Sequence, residues 1–306
     1  MCNTCGCNIT DGNRHLLSPL APRAGSDAKP EHILGGLLRH NDRQAASNRA
    51  RLDGHGVLTI NLMSSPGSGK TALLEATLTR LAGVPRVGVI EGDLETENDA
   101  DRIRALGVPV HQITTGTACH LDAHLVQRGL DALDLSQLDL LFIENVGNLV
   151  CPASFDLGHH RNVTLLSVTE GDDKPAKYPV MFRAADLMAI SKTDLLPYLT
   201  EFSPDRAETC LRNLASEAPV VRLSAKTGEG LDAWIDWLNG EWMRYRTLRS
   251  QGQTLLPKVQ ADGARRHGIA PEVRFVPVGR ALASAATKAA GRATASAATE
   301  AAGRAD

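Results

Sequence analysis

The chain is 306 residues long, with 42% hydrophobic and 22% charged residues, and its 33 Lys and Arg against 35 Asp and Glu leave a formal net charge of −2. That is the composition of a soluble globular protein of one large domain or two modest ones, and the charge gives no electrostatic reason to expect nucleic acid as a partner. No run approaches the roughly 18 apolar residues of a membrane span and no apolar leader follows the start, so a cytoplasmic protein with no membrane partner is expected.

Three of the six cysteines, Cys2, Cys5 and Cys7, fall within MCNTCGCN. A hydrophobic core would spread them out, so the spacing predicts a thiolate cluster on a flexible end. In a reducing compartment such a cluster binds metal or does redox chemistry, and no thioredoxin-like surroundings follow to favour a redox pair. Residues 8–30 show no periodicity and read as a linker. From Glu31 to Leu52, Ile33, Leu34, Leu37 and Leu38 stand at helical spacing ahead of the polar run NDRQAASNRARL, which predicts an amphipathic helix.

Seven β-rich runs then alternate with helical stretches: VLTINLM (57–63), RVGVIEGD (86–93), VPVHQIT (108–114), LDLLFIENV (138–146), NVTLLSVTE (162–170), DLMAIS (186–191) and PVVRLSA (219–225). Several are apolar on both faces, as strands covered by helices on each side must be. The predicted fold class is therefore α/β, a mostly parallel sheet flanked by helices. Cys210, alone in a helical stretch, reads as a small apolar residue. A helix over LDAWIDWLNGEWMRYRTL, with Leu231, Trp234, Ile235 and Leu238 on one face, closes the domain. Beyond Gly252 the chain ends in a near-duplicated unit, ASAATKAAGRAT then ASAATEAAGRAD, and from Lys258 onward carries eight basic residues against four acidic. Ala-rich sequence of this kind has helical propensity but no apolar face to bury. The predicted division is an arm and linker (1–30), a nucleotide-binding domain (31–250) and an unstructured tail (251–306) with no assigned role.

The sharpest chemical signal is SSPGSGKT, residues 64–71, set between the first apolar strand and the helical run ALLEATLTRLA. Strand, glycine-rich turn and helix are the context of a P-loop. Gly67, Ser68 and Gly69 let backbone N–H groups curl around phosphate oxygens, Lys70 supplies a point charge to the β and γ phosphates, and Thr71 offers its hydroxyl to Mg²⁺. The pattern departs from the usual one in having Ser64 at its first glycine. Asp93, ending the second strand, is placed to sit beside Mg²⁺ and the attacking water. Glu144, ending the strand LLFIE, is expected to reach the metal through water, with Gly147 approaching the γ-phosphate. Lys70, Asp93 and Glu144 are thus the candidate catalytic residues.

The nucleotide base is addressed by SKTD (191–194) and SAK (224–226). A carboxylate at Asp194 matches the hydrogen-bonding edge of guanine, with Lys192 along the base and Ala225 and Lys226 at its rim. Ser191 replaces the usual Asn, which predicts one weakened supporting bond and leaves GTP favoured over ATP. Cys119 and His120 in GTACHLDAH, with Cys151 in NVGNLVCP, offer thiolate and imidazole ligands suited to Zn²⁺ or Ni²⁺. Three ligands do not close a tetrahedral site, so a labile site or one shared across a dimer interface is expected. Taken alone, these residues fit equally well two small buried cysteines and a surface histidine. The charged segment EGDDKPAKYP, with Lys174 and Lys177, fits a mobile loop over the nucleotide or a solvated loop.

With those motifs in hand, the chain resembles the HypB-type GTPases, SIMIBI-class P-loop proteins that help insert nickel into [NiFe]-hydrogenases. The likeness rests on MCNTCGC, NDRQAASNRARLDGHGVLTINLMSSPGSGKT, EGDLETENDADRI, GTACHLDAH, ENVGNLVCPASFDLG, VTEGDDKPAKYP and SKTDLLPYL. It implies a slow GTPase that uses GTP and Mg²⁺, a tight nickel site at Cys2, Cys5 and Cys7, and a weaker nickel or zinc site at Cys119, His120 and Cys151 in a nucleotide-dependent homodimer interface. It also implies a HypA-type nickel-binding partner and the hydrogenase large subunit as recipient. Two alternatives are a GTP-dependent metal-binding regulator and a urease-type nickel chaperone. Some members of that family carry a long His-rich storage stretch; the ten histidines here are scattered, so bulk storage is not expected, and the tail lies outside the resemblance.

Overall fold

The computed structural model describes residues 30–93, 98–116 and 120–258. Cys2, Cys5, Cys7, Cys119 and the Ala-rich repeat lie outside these described residues. In chain order the elements are α1 (Pro30–His55), β1 (Leu58–Met63), α2 (Lys70–Leu81), β2 (Val87–Asp93), α3 (Asn98–Arg104), β3 (Val110–Thr114), α4 (Ala123–Ala132), β4 (Leu140–Glu144), β5 (Arg161–Ser167), α5 (Lys174–Lys177), α6 (Pro179–Ala184), β6 (Leu187–Ser191), α7 (Pro204–Asn213), β7 (Val220–Arg222) and α8 (Leu231–Ser250). Each strand lies within one of the seven predicted runs, apart from Arg161 one residue ahead of its own. No described helix is long and apolar enough to cross a membrane.

The strands form one seven-stranded sheet in the order β3-β2-β4-β1-β5-β6-β7, with every pairing parallel. This is a P-loop NTPase-like fold. Strand periodicity of two sends alternate residues to opposite faces. Leu58, Ile60 and Leu62 of β1 and Phe142 of β4 pack with Leu73, Leu74 and Leu78 of α2 and Trp234 and Leu238 of α8. On the other face Ile90, Leu141 and Ile143 meet Leu125, Val126 and Leu130 of α4 and Leu52 of α1. A third cluster joins Met63, Leu166, Met188 and Ile190 to Met181 and Phe182 of α6 and Leu211 of α7. Each buried large apolar side chain contributes about 1.5–3 kcal/mol relative to exposure, which explains why the strands read as near-continuous apolar runs.

At the foot of the sheet, Tyr245 Oη and Thr254 Oγ1 donate to Asp53 Oδ1 at 2.9 and 2.8 Å. His160 Nδ1 accepts from Thr59 N–H at 2.8 Å, which leaves Nε2 as the protonated nitrogen, 3.1 Å from the same Asp53 oxygen. The end of α1, β5, α8 and the segment after α8 are thereby tied together. Leu255 is buried, so packed structure continues past residue 250, where the sequence predicted a boundary. The signal there is small: Leu255, Leu256 and Pro257 after the polar run QGQT.

Candidate functional site

All strands of a parallel sheet end on one side, and the loops leaving β1, β4, β5 and β6 converge there. The P-loop leaves β1 at Ser64. Gly67 and Gly69 take φ of 72° and 93°, left-handed values that cost glycine nothing. They let the loop turn back onto the start of α2, whose first N–H groups have no helical acceptor and point at any bound anion. Lys70 is buried, and its Nζ donates to Ser64 Oγ at 3.0 Å. Ser64 at the first pattern position therefore holds the lysine across the loop. Ser65 Oγ donates to Glu170 Oε2, in the segment that follows β5. That segment is not a free solvated loop: Asp172 is buried, its Oδ2 accepts from Ser203 N–H at 3.1 Å, and α5 sits against α7. Lys174 lies 5.2 Å from the Tyr178 ring centroid, and Lys177 pairs with Asp173 at 2.6 Å.

Beside the P-loop a cavity of about 290 Å³ is lined by Gly69, Leu73, Lys192, Asp194, Ala225 and Lys226, among others. Ser224 Oγ donates to Asp194 Oδ1 at 2.7 Å, fixing the carboxylate at the wall. Lys192 adopts φ 59°, and its Nζ donates to Gly67 C=O at 2.6 Å. Ser191 Oγ donates to Ser68 C=O at 2.7 Å. The serine thus makes its own link to the P-loop.

Thr71 Oγ1 donates directly to Glu144 Oε1 at 2.9 Å. Carboxylate oxygens of Glu91, Asp99 and Glu144 lie within 4.8 Å of one another, while Glu91 Oε2 and Glu144 Oε2 are buried without a hydrogen-bond partner. Burial, and then the Glu144, Asp93 and Asp99 charges, push Glu91 up to about 8. Burial pushes Glu144 up to about 7, against the pull of Lys70 and Thr71. Orphaned carboxylate oxygens crowded beside a P-loop threonine are the donor set a hard divalent cation requires, so these residues fit Mg²⁺. Asp93 closes β2 half-buried, near enough to raise Glu91. The sequence reading missed Glu91 and Asp99. Glu91 was legible as a charge inside an apolar strand two residues from Asp93, and Asp99 only through the helix that brings it back.

Of the second cysteine group, His120 and Cys151 are described. His120 is buried, not on the surface, and its ring stacks on Phe155 with centroids 4.1 Å apart. Burial holds His120 down at about 4, with Asp122 opposing, so its imidazole is neutral at physiological pH and available as a ligand. Half-exposed Cys151 sits four residues before Phe155, so the structure brings its loop to the histidine. Asp122 caps α4 by accepting from His124 and Leu125 N–H at 2.9 and 2.8 Å, a motif worth about 1 kcal/mol.

The polar face of α1 holds both loops. Asn41 accepts from Ala123 N–H at 2.9 Å and donates to Asp156 C=O at 2.8 Å. Asn48 Nδ2 donates to Ala123 and Leu157 carbonyls at 2.7 and 3.0 Å. Arg49 forks onto both Asp156 carboxylate oxygens at 2.5 and 2.7 Å and reaches His159 C=O at 3.2 Å. Burial works to raise Asp156, but Arg49 and His159 outweigh it and leave the acid below its usual range. The NDRQAASNR run, the polar part of the helix expected from sequence, is a brace.

Residues 58–222 match the family described as CobW/HypB/UreG, nucleotide-binding domain. A hydrogenase maturation factor HypB of Azotobacter chroococcum mcd 1 is 50% identical over 235 residues, covering 75% of this chain and 77% of that one. The hydrogenase maturation factor HypB of Escherichia coli (strain K12) is 53% identical over 202 residues, 66% of this chain and 69% of that one. The crystal structure of HypB from Helicobacter pylori in complex with nickel superposes with a TM-score of 0.64 at 43% identity, covering 67% of this chain and 96% of that one.

Proposed function

Since this chain belongs to the HypB family of hydrogenase maturation factors, we propose that it is a slow GTPase that delivers nickel to a [NiFe]-hydrogenase large subunit, working in the cytoplasm as a nucleotide-dependent homodimer with a HypA-type partner. The observation that carries the reading is the span from Glu144 to Cys151. One short loop joins a carboxylate bonded to the P-loop threonine to a cysteine four residues before Phe155, the ring stacked on a neutral, buried histidine. Nucleotide and metal chemistry therefore share one moving part.

Gly67, Ser68, Gly69 and Lys70 cradle the phosphates, while Asp194, Lys192, Ala225 and Lys226 receive guanine. Thr71, Glu144, Glu91 and Asp99 would hold Mg²⁺, with Asp93 alongside, and the ion when bound neutralises phosphate charge. Asp93 stands at the strand end where an attacking water is oriented. Loss of the γ-phosphate contacts relaxes the loop after β4. Nickel is the cargo, loaded at Cys2, Cys5 and Cys7 and presented through Cys119, His120 and Cys151, with zinc the other candidate metal at the second site.

Deleting the gene and assaying hydrogenase and urease with and without added nickel tests the reading. Hydrogenase activity is expected to fall and to recover with excess nickel. Unchanged hydrogenase activity would overturn it, and loss of urease alone would redirect it to the other enzyme.

A further inference from the structure

Three buried asparagines cross the sheet on one face. Asn145 Oδ1 accepts from Leu121 N–H at 3.2 Å and Val146 N–H at 3.0 Å, and its Nδ2 donates to Asn61 Oδ1 at 3.2 Å. Asn61 Nδ2 donates to Asn162 Oδ1 at 3.0 Å, and Asn162 Nδ2 donates to Lys258 C=O at 3.1 Å. The direction of this ladder is set at both ends. Backbone donors require the Asn145 oxygen at one end, and a backbone acceptor requires the Asn162 nitrogen at the other, so no amide can be turned over without orphaning a partner. All three side chains are almost completely buried, where a lost bond has no water to replace it.

Asn145 stands at a junction. It directly follows Glu144, whose carboxylate accepts from Thr71, and its side chain holds the N–H of Leu121, directly after His120. Through Asn61 it is also fastened to β1, the strand that feeds the P-loop. We propose that Asn145 is the positioning residue that couples nucleotide state to metal affinity, by making the loop that carries His120 move with the end of β4. The inference rests on the nucleotide-gated reading above and names the residue through which the gate acts. A contiguous buried network of this kind carries coupling only if both ends bias the same element, and here that element is the Asn145 amide.

The test uses the full chain carrying Cys2→Ala, Cys5→Ala and Cys7→Ala, so that the amino-terminal thiols do not compete. Ni²⁺ affinity is measured against a chelator with Mg²⁺ and either GDP or a non-hydrolysable GTP analogue. The two affinities are expected to differ by a factor in the range of about 5 to 150. In Asn145→Ala the ratio should collapse to about one. Asn162→Ala removes an amide of the same size from the far end of the ladder and should keep the parent ratio. Asn145→Asp, which retains the acceptor for Leu121 and Val146, should recover part of the ratio and serves if the alanine variant does not fold. A parent ratio with no nucleotide dependence would overturn the gated reading and this inference together. A clear parent ratio that survives Asn145→Ala and Asn145→Asp, or that Asn162→Ala abolishes equally, would overturn this inference alone.

Discussion

An added Cβ at Gly147 would stand 2.8 Å from both Cα and N of Pro66. These are backbone atoms of the phosphate loop, with no rotamer by which to move aside. Overpacking of this kind costs about 1–3 kcal/mol. Because the strain falls on the loop and not the core, Gly147→Ala should lower GTP affinity by about tenfold or more while shifting the melting temperature little; titration of a fluorescent nucleotide checks it. Asp194 offers a different handle. Replacing an acceptor carboxylate by an amide leaves a guanine donor facing a donor, a loss of about 1–3 kcal/mol. Asp194→Asn should therefore weaken GTP binding and leave ATP binding unchanged, as measured by competition. Equal loss for both nucleotides would remove Asp194 from the base site.

At the scale of elements, α1 is more than a lead-in helix. Arg49 Nη2 reaches both carboxylate oxygens of Asp156, with side chains only 9% and 15% exposed, and removing one partner of a buried pair costs about 3–5 kcal/mol. Arg49→Met should lower stability by roughly that amount and weaken Ni²⁺ binding by the Cys151 loop. Arg51→Met, which breaks the exposed contact with Asp131, should cost under about 1 kcal/mol. Paired denaturant melts with metal titrations separate the two. The contrast also marks what could be read from sequence. Strands and the P-loop are legible because apolar runs and glycine spacing act locally. The brace is not, because Asn41, Asn48 and Arg49 look solvent-facing until loops from some 75 to 115 residues away supply their partners. Asp194 stands in a motif that sequence displays, and it lines the cavity beside the P-loop, whereas Glu91 and Asp99 come together only when β2, α3 and β4 are set side by side.

For the whole molecule, the buried acids make stability depend on pH. Glu91 and Glu144 titrate near 8 and 7 in the fold, against 4.5 in an open chain. The folded state then holds more protons, and stability falls as pH rises through that window. His120 and His159 are held near 4 against 6.5 and act in the opposite sense, but only below about pH 6.5. Between pH 6.5 and about 8 Glu91 and Glu144 set the sign of this dependence among the described residues, so the ion-free protein should melt at progressively lower temperature, and Glu91→Gln should flatten the trend. Binding of Mg²⁺ and nucleotide near pH 7 should release protons, which calorimetry in buffers of different ionisation enthalpy would detect. The strand order carries a last consequence, for synthesis. β1 has no neighbour close in sequence: its partners are β4 and β5, the latter ending at Ser167. At about 5–20 residues per second, roughly 4–16 s pass between completion of β1 at Met63 and completion of β4 at Glu144, and both sheet edges of β1 lack their native partners until then. The nucleotide cannot shield it during that interval, because the loop that would grip phosphate hangs from the same unpaired strand. Any cover for β1 during that interval has to come from contacts other than its native sheet neighbours.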